Sequence, residues 1–133
     1  MSEKSFMIHF RIALGTASCR DHSDRSELDR NVCSNLLFRL EKLKSLSPEQ
    51  LRYFAPEERE TLTVDGKVIR YTTFRDEQAD GSFLLVVQAF YSTLWFPNYL
   101  SLTAVGRIYA EGIVVDSSGQ ITSPPEKILW PYR

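Results

Sequence analysis

Two Asp-Gly pairs, Asp65-Gly66 and Asp80-Gly81, divide the stretch of residues 61–115, which is rich in Val, Ile, Phe, Tyr, Trp and Thr. Asp-Gly between apolar runs is a strong hairpin signal, because both central residues of a type I′ turn need positive φ. β-Branched and aromatic residues are typical of half-buried strands. A third break falls at residues 97–98, a Pro-Asn pair. The stretch therefore predicts a ribbon of long antiparallel strands.

In the sequence before this ribbon, the spacing of hydrophobic residues changes from every second residue to about every 3.6 residues. Strict alternation over residues 6–14 predicts a strand, with a short helix as the competing interpretation, and a polar loop follows. An apolar stripe then predicts an amphipathic helix over residues 26–46. Ser26 followed by Asp29 fits the start of that helix, and Ser47 with Pro48 begins a second, short helix. The stripe consists of Leu28, Val32, Leu36, Leu40 and Leu43.

The predicted order is a strand, a long helix, a short helix and then three or four long antiparallel strands, and such segregated helix and sheet segments indicate an α+β fold. We expect a single domain over residues 1–133, with a curved antiparallel sheet of about four long strands packed on one long N-terminal helix plus a short helix. The tail, residues 117–133, is expected to dock or to be partly ordered. This element order resembles that of cystatin-like and nuclear-transport-factor-like domains. A resemblance of element order implies a fold and no function.

Turn lengths fix which strand residues share a face. If Asp80-Gly81 is a two-residue turn, Thr73 lies opposite Gln88. If residues 96–99 form a four-residue loop, Gln88 lies opposite Arg107. These registers predict a row of small residues on one face of the last strand, on which the Leu-rich helix packs. The row consists of Ala104, Gly106, Ala110 and Gly112.

The opposite face is predicted to mix apolar and polar side chains, which is typical of a ligand pocket, of a subunit interface and of an ordinary covered face. A buried arginine needs a partner, since an unpaired guanidinium is costly. For Arg107 the candidates are Glu111, a carboxylate ligand and an acidic group of a second subunit. The predicted ligand-binding or interface residues are Tyr71, Thr73, Arg75, Gln88, Arg107, Tyr109 and Glu111.

The sequence carries no motif that identifies a reaction. Gly-x-Gly-x-x-Gly, a phosphate-binding loop and Gly-x-Ser-x-Gly are all missing. Cys19 and His22 lie three residues apart, but a zinc site needs three or four ligands, so neither a metal nor a cofactor is predicted. His9, on the alternating strand, is best explained as structural. The best catalytic alternative is Arg107 as an anion clamp with Glu111 as a base.

Charge and composition exclude several classes of partner. The net charge of −1 gives no basic field, so nucleic acid is not an expected partner. No apolar run reaches the roughly 18 residues of a membrane-spanning helix. Two cysteines are too few for a disulfide framework, so free thiols and a cytoplasmic setting are predicted. We expect a non-enzymatic binding or assembly domain, homodimeric through one sheet face. The alternative is a small-molecule-binding domain or small enzyme that uses this face as a pocket.

Overall fold

The computed structural model of the chain describes residues 11–17, 19, 26–94 and 104–132. The expected first strand, residues 6–14, lies mainly outside these ranges, and the described strand extends to residue 17. The elements are β1 (Arg11–Ala17), α1 (Glu27–Lys44), α2 (Pro48–Arg52), β2 (Glu57–Val64), β3 (Lys67–Glu77), β4 (Phe83–Leu94), β5 (Ala104–Val115), β6 (Ile121–Thr122) and α3 (Glu126–Leu129), followed by the 3₁₀ turn Trp130–Tyr132.

Both predicted helices at the N-terminal side form where their caps indicate. The hydroxyl of Ser26 accepts a hydrogen bond from the Asp29 N–H at 3.1 Å, which satisfies one of the free donors at the start of α1. Ser47 and Gln50 form a reciprocal capping box at the start of α2. The stripe from Val32 to Leu43 is buried, as the spacing predicts.

The strands form one open, curved sheet in the order β1-β5-β4-β3-β2, with β6 paired to the end of β5. Strands β2 to β5 are an antiparallel meander, and β1 adds to it in parallel with β5. A parallel neighbour requires a long crossover, which here contains both helices and three strands. The predicted α+β class, with one long helix, a short helix and a curved sheet, is confirmed.

The first Asp-Gly pair forms the predicted two-residue turn. Asp65 and Gly66 have φ of 50° and 78°, and Val64 pairs with Lys67. These positive φ values are those of a type I′ turn. The hairpin between β2 and β3 thus follows directly from the local sequence.

The second pair, Asp80-Gly81, closes a three-residue loop, so the predicted register of β3 and β4 is wrong by one residue. Gln78 N–H donates to the Ser82 carbonyl at 2.8 Å, and Gly81 N–H donates to the Gln78 carbonyl at 3.2 Å. Only Gly81 of the pair has positive φ, at 90°, as in a turn followed by a glycine bulge. Ala79 is therefore part of the loop, and Gln88 lies opposite Thr72.

The register predicted between β4 and β5 is also wrong. Gln88 lies opposite Ala110, and Arg107 lies opposite Tyr91. The predicted four-residue loop, residues 96–99, falls outside the described part of the chain. The shift from the predicted pairing is an odd number of residues, and therefore every side chain of β5 changes face relative to β4.

Because of this shift, α1 does not pack on the small-residue row. It packs on the face that carries Tyr109, Ile113 and Val115, together with alternate residues of β4. Gly106, Ala110 and Gly112 lie on the other face. There a Cβ added at Gly112 would approach Leu129 Cδ2 to 3.2 Å and the Leu85 carbonyl to 2.7 Å. The lack of a side chain at residue 112 accommodates the C-terminal segment, in which Leu129 is buried.

A disulfide joins Cys19 to Cys33, which contradicts the prediction of free thiols. The two Cα atoms are 5.3 Å apart, within the ordinary range for a disulfide. Cys33 is in the buried stripe of α1, but it lies at the side of the stripe that meets the segment containing Cys19. The small number of cysteines was therefore an insufficient reason to predict free thiols.

Candidate functional site

Six of the seven predicted site residues lie on the sheet face beneath α1, and Gln88 lies on the opposite face. The face beneath α1 carries three residues of β3 and three of β5. They are Tyr71, Thr73 and Arg75 of β3 and Arg107, Tyr109 and Glu111 of β5. This distribution follows from the cross-strand pairs, in which Thr73 faces Val87 and Val87 faces Glu111. The seven residues therefore do not form one surface.

Arg107 has an acidic partner within the chain, and this partner is Asp29 of α1. Its Nη1 lies 3.3 Å from Asp29 Oδ2, and the Tyr91 hydroxyl donates to the other carboxylate oxygen. A side-chain hydrogen bond with Tyr109 and the negative charge of Asp29 raise the pKa of Arg107. The Arg107 side chain remains 47% exposed, whereas that of Asp29 is 5% exposed. Asp29 was predicted only as a helix-start residue.

Tyr71 is fixed in the core between the sheet and α1. Its hydroxyl donates to the Val32 carbonyl at 3.1 Å, and the Arg39 guanidinium carbon lies 4.5 Å from the centre of its ring. Burial raises the pKa of Tyr71 to about 12, and the positive charge of Arg39 acts in the opposite direction. Tyr71 therefore forms part of the structural contact between β3 and α1.

The remaining predicted residues contact other parts of the fold. Glu111 Oε2 accepts from the Cys19 backbone N–H at 2.8 Å, and Gln88 Nε2 donates to the Tyr132 carbonyl. Arg75 Nη1 lies 3.1 Å from Glu77 Oε1, while its Nε has no hydrogen-bond partner among the described residues. Thr73 alone lines a solvent-open cavity of the described part that is large enough for a small molecule.

That cavity, here called the helix–edge groove, lies between the second half of α1 and the first residues of β2. It has a volume of about 310 Å³. Its position follows from the fold, because one helix is too narrow to cover a curved sheet out to its edge strand. The lining residues are Arg39, Lys42, Leu43, Ser45, Leu46, Phe54, Glu58, Glu60 and Thr73.

The two walls of the helix–edge groove carry opposite charges. Arg39 and Lys42 come from the helix, and Glu58 and Glu60 come from the edge strand. Arg39 and Glu60 form an ion pair that joins the walls. Leu43, Leu46 and Phe54 supply the apolar part of the lining. Sequence reasoning missed the groove, since no local pattern places the flank of a helix beside a strand some fifteen residues later.

A second, smaller depression lies on the opposite face, near the hairpin of β2 and β3. We call it the outer corner, and its volume is about 230 Å³. The Arg70 guanidinium carbon lies 5.5 Å from the centre of the Phe90 ring, and burial lowers the pKa of Arg70. Val68 is 60% exposed beside them. The outer corner is lined by Thr61, Val68, Arg70, Phe90, Tyr91 and Ser92.

Within the described ranges, no group of three or more His, Cys, Asp or Glu residues is arranged to hold a metal ion. In that same part of the chain, no helix combines the length and apolarity needed to cross a membrane. Comparison of the sequence with known families and curated proteins, and of the fold with solved structures, finds no match. The resemblance to cystatin-like and nuclear-transport-factor-like domains therefore remains one of element order.

Proposed function

We propose that this chain is a non-enzymatic binding domain that takes a small, partly apolar molecule in the helix–edge groove. The observation that carries the proposal is the groove itself. Its volume of about 310 Å³ lies at the lower end of the range for ligand pockets, roughly 300–1,000 Å³. Its lining places three apolar side chains beside four charged and two hydroxyl-bearing ones, so groups that could orient a ligand lie next to an apolar surface.

The predicted site residues support the groove in preference to the sheet face beneath α1. Tyr71, Tyr109 and Glu111 are buried, and Arg107 has Asp29 as its partner. A ligand would have to displace α1 to reach most of that face. Thr73 reaches the groove without any such displacement.

Binding without catalysis is the interpretation that the groove lining favours. Its two hydroxyl groups belong to Ser45 and Thr73. The Ser45 hydroxyl donates to the Lys42 carbonyl at 2.6 Å, as part of the end of α1. Nucleophilic catalysis needs a hydroxyl or thiol with a base in hydrogen-bond reach. The Thr73 hydroxyl has Glu58 opposite it on β2, but no hydrogen bond joins these two side chains, and the described lining contains no cysteine or histidine.

A fragment screen by ¹H–¹⁵N NMR tests this function. We expect small aromatic and aliphatic fragments to shift the amide signals of Leu46, Phe54 and Thr73. Thr73→Phe fills the groove and should abolish these shifts, whereas Ser34→Phe adds the same bulk to the exposed surface of α1 and should preserve them. If no fragment shifts the groove amides, or if Thr73→Phe leaves the shifts unchanged in a folded protein, the proposal is wrong.

A homodimer is the second candidate, and the exposure of Val68 favours it. The sheet face that carries six of the seven predicted interface residues is mostly occupied by α1. The outer corner instead offers an exposed valine beside Arg70 and Phe90, and aromatic and arginine side chains are enriched at interfaces. Val68→Glu should then shift sedimentation toward the monomer. Tyr53→Glu, which replaces an exposed tyrosine elsewhere, should not. Monomeric wild-type protein at high concentration would exclude this candidate.

The disulfide bears on where the protein functions. Disulfides persist in oxidising compartments and are rare in the cytosol. The pairing of Cys19 with Cys33 therefore favours an oxidising setting over the predicted cytoplasmic one. Thiol labelling of protein taken from cells and denatured without reductant would decide between them, because both buried cysteines of a cytoplasmic protein should then be labelled.

A further inference from the structure

We infer that the occupant of the helix–edge groove is a zwitterion, an amine-carboxylate with an apolar side chain such as a free amino acid. This inference rests on the proposed function and adds the chemical class of the ligand. Its basis is the order in which charges follow one another along the two walls.

The charges occur in two successive pairs along the groove. Arg39 and Glu60 bridge the walls at one end. Lys42 lies one helical turn further along α1, about 4.5 Å away at 1.5 Å per residue. Glu58 lies two residues back along β2, about 6.6 Å away on the same face. The second pair thus faces the part of the groove beyond the Arg39–Glu60 ion pair.

Lys42 and Glu58 are the charges that remain for a ligand. Among the described residues neither side chain takes part in an ion pair or a hydrogen bond. Lys42 Nζ lies 5.6 Å from the centre of the exposed Phe38 ring. Both residues are exposed, so their charges are hydrated until a ligand binds. A ligand ammonium beside Glu58 and a ligand carboxylate beside Lys42 would give each of these two side chains a partner of opposite charge.

Beside these charges, the groove has room for an apolar group of modest size. At the roughly 30 Å³ that each water occupies in the liquid, about 310 Å³ holds on the order of ten non-hydrogen atoms. Leu43, Leu46 and Phe54 would contact the side chain of the ligand. A dianion would be repelled by Glu58 and Glu60, and a simple cation by Arg39 and Lys42. Charge complementarity therefore selects a ligand that carries both signs.

Three probes of similar size separate the contributions of the two charges. Phenylalanine carries both groups, 3-phenylpropanoate lacks the amine, and phenethylamine lacks the carboxylate. Titration of each into ¹⁵N-labelled protein gives its affinity from the groove amides. Exposed ion pairs are weak, so we expect phenylalanine to bind about two- to fivefold more tightly than either analogue.

Two variants assign the charges to residues. Glu58→Gln should remove the advantage of phenylalanine over 3-phenylpropanoate, and Lys42→Gln should remove its advantage over phenethylamine. The controls Glu49→Gln and Lys67→Gln change the same charges outside the groove and should preserve both advantages.

The outcomes distinguish the inference from the proposed function. Equal affinity of the three probes at the groove, or advantages that survive both groove variants, would overturn the zwitterion and leave the groove as a ligand site. If none of the probes, and no fragment, shifts the groove amides, both proposals are overturned. Loss of each advantage in its own variant supports the assignment.

Discussion

Glu111 and Cys19 are 92 residues apart in the sequence, and a hydrogen bond of 2.8 Å joins the Glu111 carboxylate to the Cys19 backbone N–H. Glu111 is almost fully buried on β5, beneath α1. Cys19 is in turn linked to Cys33 of α1. Cys19 is therefore held to the sheet by the side chain of Glu111 and to the helix by a covalent bond.

We expect Glu111→Ala to lower the free energy of unfolding by about 1–3 kcal/mol, because it leaves the buried Cys19 N–H without its acceptor. Glu111→Gln retains a side-chain carbonyl and should cost less. Urea denaturation of the two variants measures the difference. Equal losses would mean that the hydrogen bond to Cys19 contributes little.

Reduction of the disulfide should cost about 3 kcal/mol, the value for a closed loop of about 15 residues in the chain-entropy description. The bonded cysteines are separated by 14 positions. Denatured, unreduced protein should contain no reactive thiol in a colorimetric assay, and reduced protein should contain two. Detection of two thiols before reduction would restore the prediction made from the sequence.

The pKa of Tyr71, raised from 10.0 to about 12, makes stability depend on alkaline pH. The fold favours the neutral phenol, so this contribution is fully present below pH 10 and is lost as the pH rises through about 12. Tyr71→Phe should flatten the fall in unfolding free energy between pH 10 and 12, whereas Tyr53→Phe, at an exposed site, should not. Identical pH profiles for wild type and Tyr71→Phe would contradict the shift.

Leu36→Ala should destabilise the protein by about 2–5 kcal/mol, since Leu36 is fully buried in the contact between α1 and the sheet. Phe38→Ala, on the same helix but at a side chain that is 63% exposed, should change stability by less than about 0.5 kcal/mol. Thermal and urea unfolding both measure this contrast. A similar loss for the two variants would place the helix in a different orientation.

Local signals were sufficient for the elements and insufficient for their relative positions. The Asp65-Gly66 turn and the Ser26 cap each depend on a few neighbouring residues, and both form as predicted. The Asp80-Gly81 loop is one residue longer than predicted because Gln78, and not Ala79, pairs with Ser82. The local sequence is compatible with either pairing. Each odd shift of register exchanges the two faces of a strand, and the predicted site was built from those faces.

The contacts that decide where each predicted site residue lies join parts of the chain that are far apart in sequence. Asp29 reaches Arg107 across 78 residues, and the helix–edge groove brings the flank of α1 next to the edge strand β2. Periodicity indicates which side of an element is buried, but not which residue lies opposite. The pairing of Cys19 with Cys33 was unpredictable for the same reason, because it depends on where Cys19 lies relative to α1.

The three-residue loop at Asp80-Gly81 has a consequence for insertions and deletions in the gene. Loss of the codon for Ala79 would leave Asp80 and Gly81 as a two-residue turn, still flanked by Gln78 and Ser82. Strand alignment, and with it the assignment of every downstream side chain to its face, would be retained. An in-frame deletion at this position should therefore be as mild as a surface substitution, whereas a deletion within β4 itself would exchange core and exterior for the rest of that strand.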